Sequence, residues 1–258
     1  MGLGDSFTYG AGAPFDETYL RSLEMMLNSG TSADSGFEVI KVGIQRYFPE
    51  PERLLLQHYG IQFKPDLILV GFIPNDVMDS YMGLEAITIS DDGTLKTDEA
   101  AQLGEVGTFL YHYSHLARIL LRKYVSFKLS RKYQIDWPEV YEPDGLDETT
   151  WRNIEAEYSK MVKTARSAGA EIVFIHIPIS PDEAAYFDIK GTSYPADRLK
   201  KWAANEQVLF IDTLPVLMAA EMHQVLYWPQ DGHSNCAGYA VIAETIYEKL
   251  MDNNLLPD

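Results

Sequence analysis

Asp66 to Phe72 reads Asp-Leu-Ile-Leu-Val-Gly-Phe. It is of strand length, it has no polar face, and it is too short for a buried helix. Such a run suits a central strand of a parallel sheet, covered on both faces. A strand of that kind needs crossover helices before and after it, and the flanking sequence supplies them. Tyr19 to Asn28 carries Leu20, Leu23, Met26 and Leu27 at helical spacing and ends at Ser29-Gly30. Phe37 to Val42 alternates as a strand and stops at Gly43. Pro49 to Tyr59 restarts a helix with proline in its first turn. The order strand, helix, strand, helix, strand predicts a parallel sheet with helical crossovers.

From Met78 to about Thr150 that alternation is interrupted. Ile87-Thr88-Ile89 and Thr94-Leu95, on either side of Asp91-Asp92-Gly93, read as a small hairpin. Phe109 to Lys132 has the pattern of one long helix rich in aromatics, and Trp137 to Gly145 reads as loop. This section, about 78–150, is expected to be an insertion that overhangs whatever lies at Asn75, or else a peripheral excursion covering core. Alternation returns with a helix from Trp151 to Ala168, strands at Glu171–Ile177 and Val208–Ile211, and a closing helix from Cys236 to Met251. Asp212 is expected to cap the turn after its strand, and Ser234 or Asn235 the last helix. The fold class follows: α/β, a three-layer α/β/α sandwich on a mostly parallel five-stranded sheet, in one domain.

Composition limits what such a domain could do. The formal charge is −17, and the densest basic stretch, Arg118 to Lys132, is broken by apolar residues at helical spacing. No basic stripe is available to neutralise phosphates, so nucleic acid and anionic membranes are poor partners. The single cysteine, Cys236, excludes an intrachain disulfide and reads as a small helix-start residue. No apolar run reaches the roughly 18 residues of a membrane span, and no signal peptide is visible. Only Met1 to Gly4 precede the first motif, whereas a buried strand usually needs about five residues. Native residues or a leader ahead of Met1 are therefore expected, which leaves a soluble chain either cytoplasmic or exported.

Functional groups in open parallel sheets collect at the carboxyl ends of the strands. Ser6, Gly43 to Arg46 and Asn75 all follow predicted strands, and His233 lies in the loop before the last helix. Asp5 and Ser6 could simply cap the next helix. A serine held between a strand and a helix N-terminus is equally well placed as a nucleophile, provided an imidazole takes its proton. His233 is the best-placed imidazole, and Asp231, two residues earlier with Gly232 allowing a bend, could orient it. Asp5 and Asp76 are expected to bond loop amides. His176 ends a strand at the same edge, either lining a pocket or satisfied within the core. His112 and His115 share a helix face but have no carboxylate at matching spacing, so a metal site is not expected. There is no Gly-x-Ser-x-Gly elbow and no Walker-type loop.

Three stretches in this order, Gly4-Asp5-Ser6, Asn75-Asp76 behind a central strand, and Asp231 with His233 before the C-terminal helix, resemble the blocks of the SGNH hydrolases, the GDSL esterase/lipase family. The resemblance spans the chain. It implies a serine esterase without cofactor or metal, with Ser6, Asp231 and His233 as catalytic residues. It also implies an oxyanion hole from the Ser6 N–H, a second-block N–H and the Asn75 amide, and a small-molecule or carbohydrate ester as substrate. Two departures stand out. The residue three before His233 is Gln230, so the orienting carboxylate falls to Asp231. The second block, usually Asn-x-Gly-x-x-Gly, here reads Lys41-Val42-Gly43-Ile44-Gln45-Arg46. The donating N–H then belongs to Arg46, which is strained if the site demands a positive φ. Its side chain would face an anionic substrate, or be exposed or salt-bridged; Gly43 and His176 are candidate pocket residues. Short acyl esters, including O-acetyl groups on sugars, are the expected substrates. Transfer to an alcohol acceptor and a non-catalytic binding domain are the rival readings.

Overall fold

The computed structural model describes residues 1–29, 36–83, 87–89, 95–97, 104–121, 123–124, 148–179, 194–229 and 232–256. Five parallel strands form the central sheet: β1 (Gly2–Gly4), β2 (Lys41–Gly43), β3 (Leu67–Phe72), and two C-terminal strands, Glu171–His176 and Leu209–Asp212. A separate antiparallel pair, β4 (Ile87–Ile89) and β5 (Leu95–Thr97), lies between them in sequence, so the C-terminal strands are β6 and β7. The order across the sheet is β2-β1-β3-β6-β7, with β3 in the centre.

The pleat of β3 explains its unbroken apolar sequence. Ile68, Val70 and Phe72 enter one core, and Leu69 enters the other. β6 does the same, with Ile172 and Phe174 on the first side and Val173 and Ile175 on the second. The first core is closed by helices α3 (Pro49–His58) and Glu148–Ala168, through Leu56, Trp151, Ile154, Tyr158 and Met161. The second is closed by α2 (Tyr19–Leu27) and Cys236–Asp252, through Tyr19, Leu20, Leu23, Tyr239, Ile242 and Ile246. The expected three-layer architecture is therefore present. Further helices, in chain order, are α1 (Ser6–Tyr9), α4 (Asn75–Met82), α5 (Gly104–Tyr113), α7 (Tyr194–Glu206) and α8 (Leu214–Glu221). The long helix Glu148–Ala168 is α6 and the closing helix is α9.

Two elements differ from the sequence expectation. The strand expected over Phe37–Val42 is reduced to Lys41–Gly43. The backbone of Phe37 is held on both sides by the Asn28 side chain (2.7 and 2.9 Å), and the Val39 N–H donates to Glu24 at 3.3 Å. β2 is an edge strand, so side chains of α2 and of the residue that ends it compete successfully for this backbone. The helix expected over Phe109–Lys132 starts earlier, at Gly104, and breaks at Ser114, whose Oγ accepts the Ala117 N–H (3.2 Å) as helix resumes over 115–121. Its remainder from 125, and the loop Trp137 to Gly145, lie outside the described residues. Asn235 is the cap of α9, accepting from the Gly238 N–H at 3.1 Å. Among the described residues, no helix is long and apolar enough to cross a membrane.

Candidate active site

Gly4 ends β1 at φ 153°, and a Cβ there would stand 2.1 Å from Thr8 Oγ1. Only glycine allows the chain to turn so tightly from strand into α1. Asp5 caps that short helix, its Oδ1 accepting the Phe7 N–H at 2.9 Å. Ser6 is the first helical residue. Its Oγ lies 2.8 Å from His233 Nε2 and 3.2 Å from Asp5 Oδ2, so the imidazole is the nearer partner.

His233 arrives from the other end of the chain, and several contacts fix its loop. Its carbonyl accepts the Trp228 N–H (2.8 Å), and the N–H of Asn235 reaches the Leu226 carbonyl (2.8 Å). The Trp228 indole donates to the Gly12 carbonyl (2.8 Å), and the Tyr239 hydroxyl to Ala11 (3.0 Å). These bonds tie the C-terminal loop and α9 to the turn that follows Ser6. The Phe7 ring lies against the imidazole, with centroids 4.7 Å apart. Gly232 takes φ 76°, a bend that glycine makes without strain. Asp231 lies outside the described residues.

Asn75 opens α4 directly after β3. Its Nδ2 donates to Asp5 Oδ2 (3.2 Å) and approaches Asp79 Oδ2 (3.4 Å), which links the first and third motifs. Asp76 accepts the loop N–H of Ile73 at 3.0 Å as expected, whereas the amide that Asp5 bonds, Phe7, lies in the first turn of α1. Arg46 has φ 63°. The positive φ considered from sequence is present, at a cost of roughly 1–2 kcal/mol for an L-residue. Its guanidinium donates to Asp79 Oδ1 at 3.1 Å, and the side chain is both salt-bridged and exposed. Gly43 lies under α1: a Cβ would meet the Tyr9 nitrogen at 2.1 Å and the Thr8 carbonyl carbon at 2.3 Å.

His176 is buried at the end of β6. Its Nδ1 is 2.9 Å from Asp212 Oδ1 at the end of β7, and its ring sits 5.9 Å from Phe72. Burial acts to raise Asp212, but the hydrogen bond and charge of His176 prevail and hold the carboxyl below its usual range. Asp212 also caps the turn it ends, accepting from Leu214 N–H (3.1 Å).

Behind Ser6 lies a set of buried carboxyl groups that motif reading missed in part: Asp5, Glu52, Asp76 and Asp79. Desolvation raises all four. Asp5 is raised by burial, with the Phe7 N–H, Asn75 and Ser6 opposing the shift. Burial pushes Asp79 up to about 6 against the pull of Arg46. Glu52 and Asp76 lie well above the usual carboxyl range, through burial and then the charges around them, Asp5 included. The spacing of Asn75 and Asp79, four apart on one helix face, was a legible sign for one of the two missed residues. Glu52 gave no such sign.

Among the described residues no three His, Cys, Asp or Glu side chains are grouped as metal ligands. A cleft of about 570 Å³ lined by Gly169, Ala170, Gln207 and Val208 opens at the opposite, N-terminal ends of β6 and β7. Ser6, His233, Asn75 and Arg46 lie instead at the edge where the parallel strands end.

The sequence profile of the GDSL-like lipase/acylhydrolase family matches residues 3–241. The chain belongs to this family. Solved structures share its fold at low identity. TesA matches with a TM-score of 0.57 at 14% identity, over 99% of this chain and 98% of its own. A catalytic mutant of Axe2, an acetylxylan esterase from Geobacillus stearothermophilus, matches with a TM-score of 0.58 at 14% identity, over 96% and 92%. A member of the lipolytic G-D-S-L family from Veillonella parvula DSM 2008 matches with a TM-score of 0.53 at 12% identity, over 97% and 96%. No curated protein is significantly similar in sequence.

Proposed function

We propose that this family member is a serine esterase acting on short acyl esters, including O-acetyl groups on carbohydrates. The observation that carries the reading is the 2.8 Å approach of Ser6 Oγ to His233 Nε2. A serine alcohol is a weak nucleophile at neutral pH and needs an imidazole within hydrogen-bond reach. As Ser6 Oγ attacks the ester carbon, its proton passes to His233 Nε2. The carbonyl oxygen becomes an oxyanion, received by the N–H groups of Ser6 and Arg46 and by the Asn75 amide. To donate there, Asn75 exchanges one of its carboxylate contacts for the oxyanion. Each such donor is worth roughly 3 kcal/mol in the transition state. The proton on His233 then leaves with the alcohol, and an acyl group remains on Ser6. Water, deprotonated by His233, attacks that acyl-enzyme and restores the serine. Asp231 has the role of orienting the imidazole and supporting its positive charge.

The acyl preference draws on Axe2, an acetylxylan esterase of the same fold. The section at about 78–150 is read as a cover over the site, and the structure describes parts of it, among them Gly104–Tyr113 and 115–121. Its exposed Phe109, Tyr113, Leu116 and Leu120 are the kind of surface such a cover presents. The test is hydrolysis of p-nitrophenyl esters, acetate upward in chain length, by wild type and Ser6→Ala. Turnover that needs Ser6 and declines with chain length is expected. Equal rates for the two proteins would overturn the assignment. Acetyl transfer to an added sugar with no gain in free acetate would convert it to a transferase.

A further inference from the structure

Arg46 stands where the second motif of the resembling family has glycine, and its backbone is left-handed at φ 63°. An L-residue stays in that region only when its surroundings hold it there. The Tyr47 N–H donates to the Ile44 carbonyl (3.0 Å) and closes the turn that contains Arg46, and a side-chain contact reinforces it. Asp79, one turn beyond Asn75 on α4, accepts from Arg46 Nη2 through Oδ1 at 3.1 Å. Its other oxygen, Oδ2, faces Asn75 Nδ2 at 3.4 Å. The Asp79 side chain is 10% exposed and that of Arg46 43%, so the acid is a fixed anchor and the arginine reaches down to it.

We propose that Asp79 is a positioning residue for the oxyanion hole: its two carboxylate oxygens, divided between Arg46 and Asn75, hold the two donors in one geometry. The inference rests on the esterase reading, in which the Arg46 N–H and the Asn75 amide receive the oxyanion. Those two groups belong to different strand–helix connections, after β2 and after β3, and nothing in either local sequence sets their separation. A single carboxylate bonded to both does. The ion pair also compensates for the missing glycine, since a tether from side chain to α4 resists the return of position 46 to negative φ. Desolvation lifts Asp79 to about 6, and the Arg46 guanidinium opposes that rise. Asp5 occupies the far side of Asn75 and shares its amide, which completes the line Arg46–Asp79–Asn75–Asp5–Ser6.

Four variants test the proposal: Asp79→Asn, Arg46→Ala, Arg46→Gly and the double Asp79→Asn/Arg46→Gly. Each is assayed on p-nitrophenyl acetate and crystallised. Asparagine keeps the shape of Asp79 but has one acceptor oxygen, so it cannot hold both donors. Its kcat is expected to fall roughly tenfold or more, with KM little changed. Arg46→Ala loses the tether but keeps an L-residue, and should fall likewise. Arg46→Gly loses the same tether but adopts positive φ freely, so its kcat should fall less than that of Arg46→Ala. The double variant should recover only the part of the Asp79→Asn loss that comes from the backbone at position 46. In the crystals, position 46 should leave positive φ in Asp79→Asn and Arg46→Ala and keep it in Arg46→Gly.

Equal kcat for Arg46→Ala and Arg46→Gly would overturn the proposal. So would an Asp79→Asn enzyme with wild-type kcat and Arg46 still near φ 60°. A raised KM confined to the Arg46 variants would reassign that side chain to substrate binding. If the wild type shows no Ser6-dependent turnover, the esterase reading fails by itself. The backbone at position 46 in the Asp79→Asn crystal then still decides whether the tether exists.

Discussion

Replacing Gly43 by alanine adds one methyl group under the helix that carries Ser6. The new Cβ would stand 2.1 Å from the Tyr9 nitrogen and 2.3 Å from the Thr8 carbonyl carbon, both backbone atoms. Neither can turn aside as a side chain could. Restoring an ordinary contact of roughly 3.4 Å means parting β2 from α1 by about 1.3 Å, at a cost of about 1–3 kcal/mol for overpacking. In a chain of this size that lowers the melting temperature by about 2–4 °C per kcal/mol. Activity should suffer more. Ser6 rides on α1, whereas the bonds of the His233 loop reach the turn after α1, at Ala11 and Gly12, and not α1 itself, so a shift of α1 is only partly followed. A shift of about 1 Å between reacting groups costs on the order of 100-fold. The assay pairs kcat/KM on p-nitrophenyl acetate with a thermal melt of the same preparation. A Gly43→Ala protein that melts a few degrees lower and loses about 100-fold in kcat/KM fits the geometry. Wild-type kcat/KM and melting temperature together would refute the reasoning, because they would mean that the strand and α1 part without consequence.

Glu52→Gln tests the buried carboxyl groups. Glu52 is buried, and desolvation followed by the charge of Asp5 holds its carboxyl well above the usual range, and so above its unfolded value. The native state thus keeps a proton that the unfolded state releases above about pH 4.5, and wild-type stability falls as pH rises through that window, by up to about 1.4 kcal/mol per unit. Glutamine copies the protonated form, so the variant should match wild type near pH 4 and melt higher at pH 7; an equal advantage at both would contradict the burial argument. Asn235→Ala removes the cap of α9 and should cost about 1 kcal/mol in denaturant unfolding; a loss below a few tenths would show that another donor arrangement replaces it. Trp228→Phe deletes the indole bond to Gly12 that joins the His233 loop to the Ser6 turn. It should lower kcat several-fold while costing about 1 kcal/mol of stability, and an unchanged kcat would show that the loop is held by its backbone bonds alone.

Most of the sheet was legible because its signals are local. The period-2 burial of β3 and β6, the helical spacing of α2, and the caps at Asp212 and Asn235 each act over a few residues, and each appears where the sequence put it. The order of the motif blocks likewise placed Ser6, Asn75 and His233 at one edge, since a parallel sheet brings its strand ends together whatever the loops contain. Tertiary structure decided the rest. β2 is short because Glu24 on α2 and Asn28 just after it take the backbone of Val39 and Phe37, a competition no strand propensity records. His176 is a paired core histidine because β7 delivers Asp212 beside it, 36 residues away. Arg46 is left-handed and bound to Asp79 because the end of β2 meets α4 there. Glu52, in the first turn of α3, looks in sequence like an ordinary acidic residue at a helix N-terminus, yet it is buried beside Asp5. Periodicity and capping chemistry are properties of neighbours along the chain. Desolvation, ion pairing and the choice of partner for a charged group depend on what distant segments bring to it, and only the folded chain sets that.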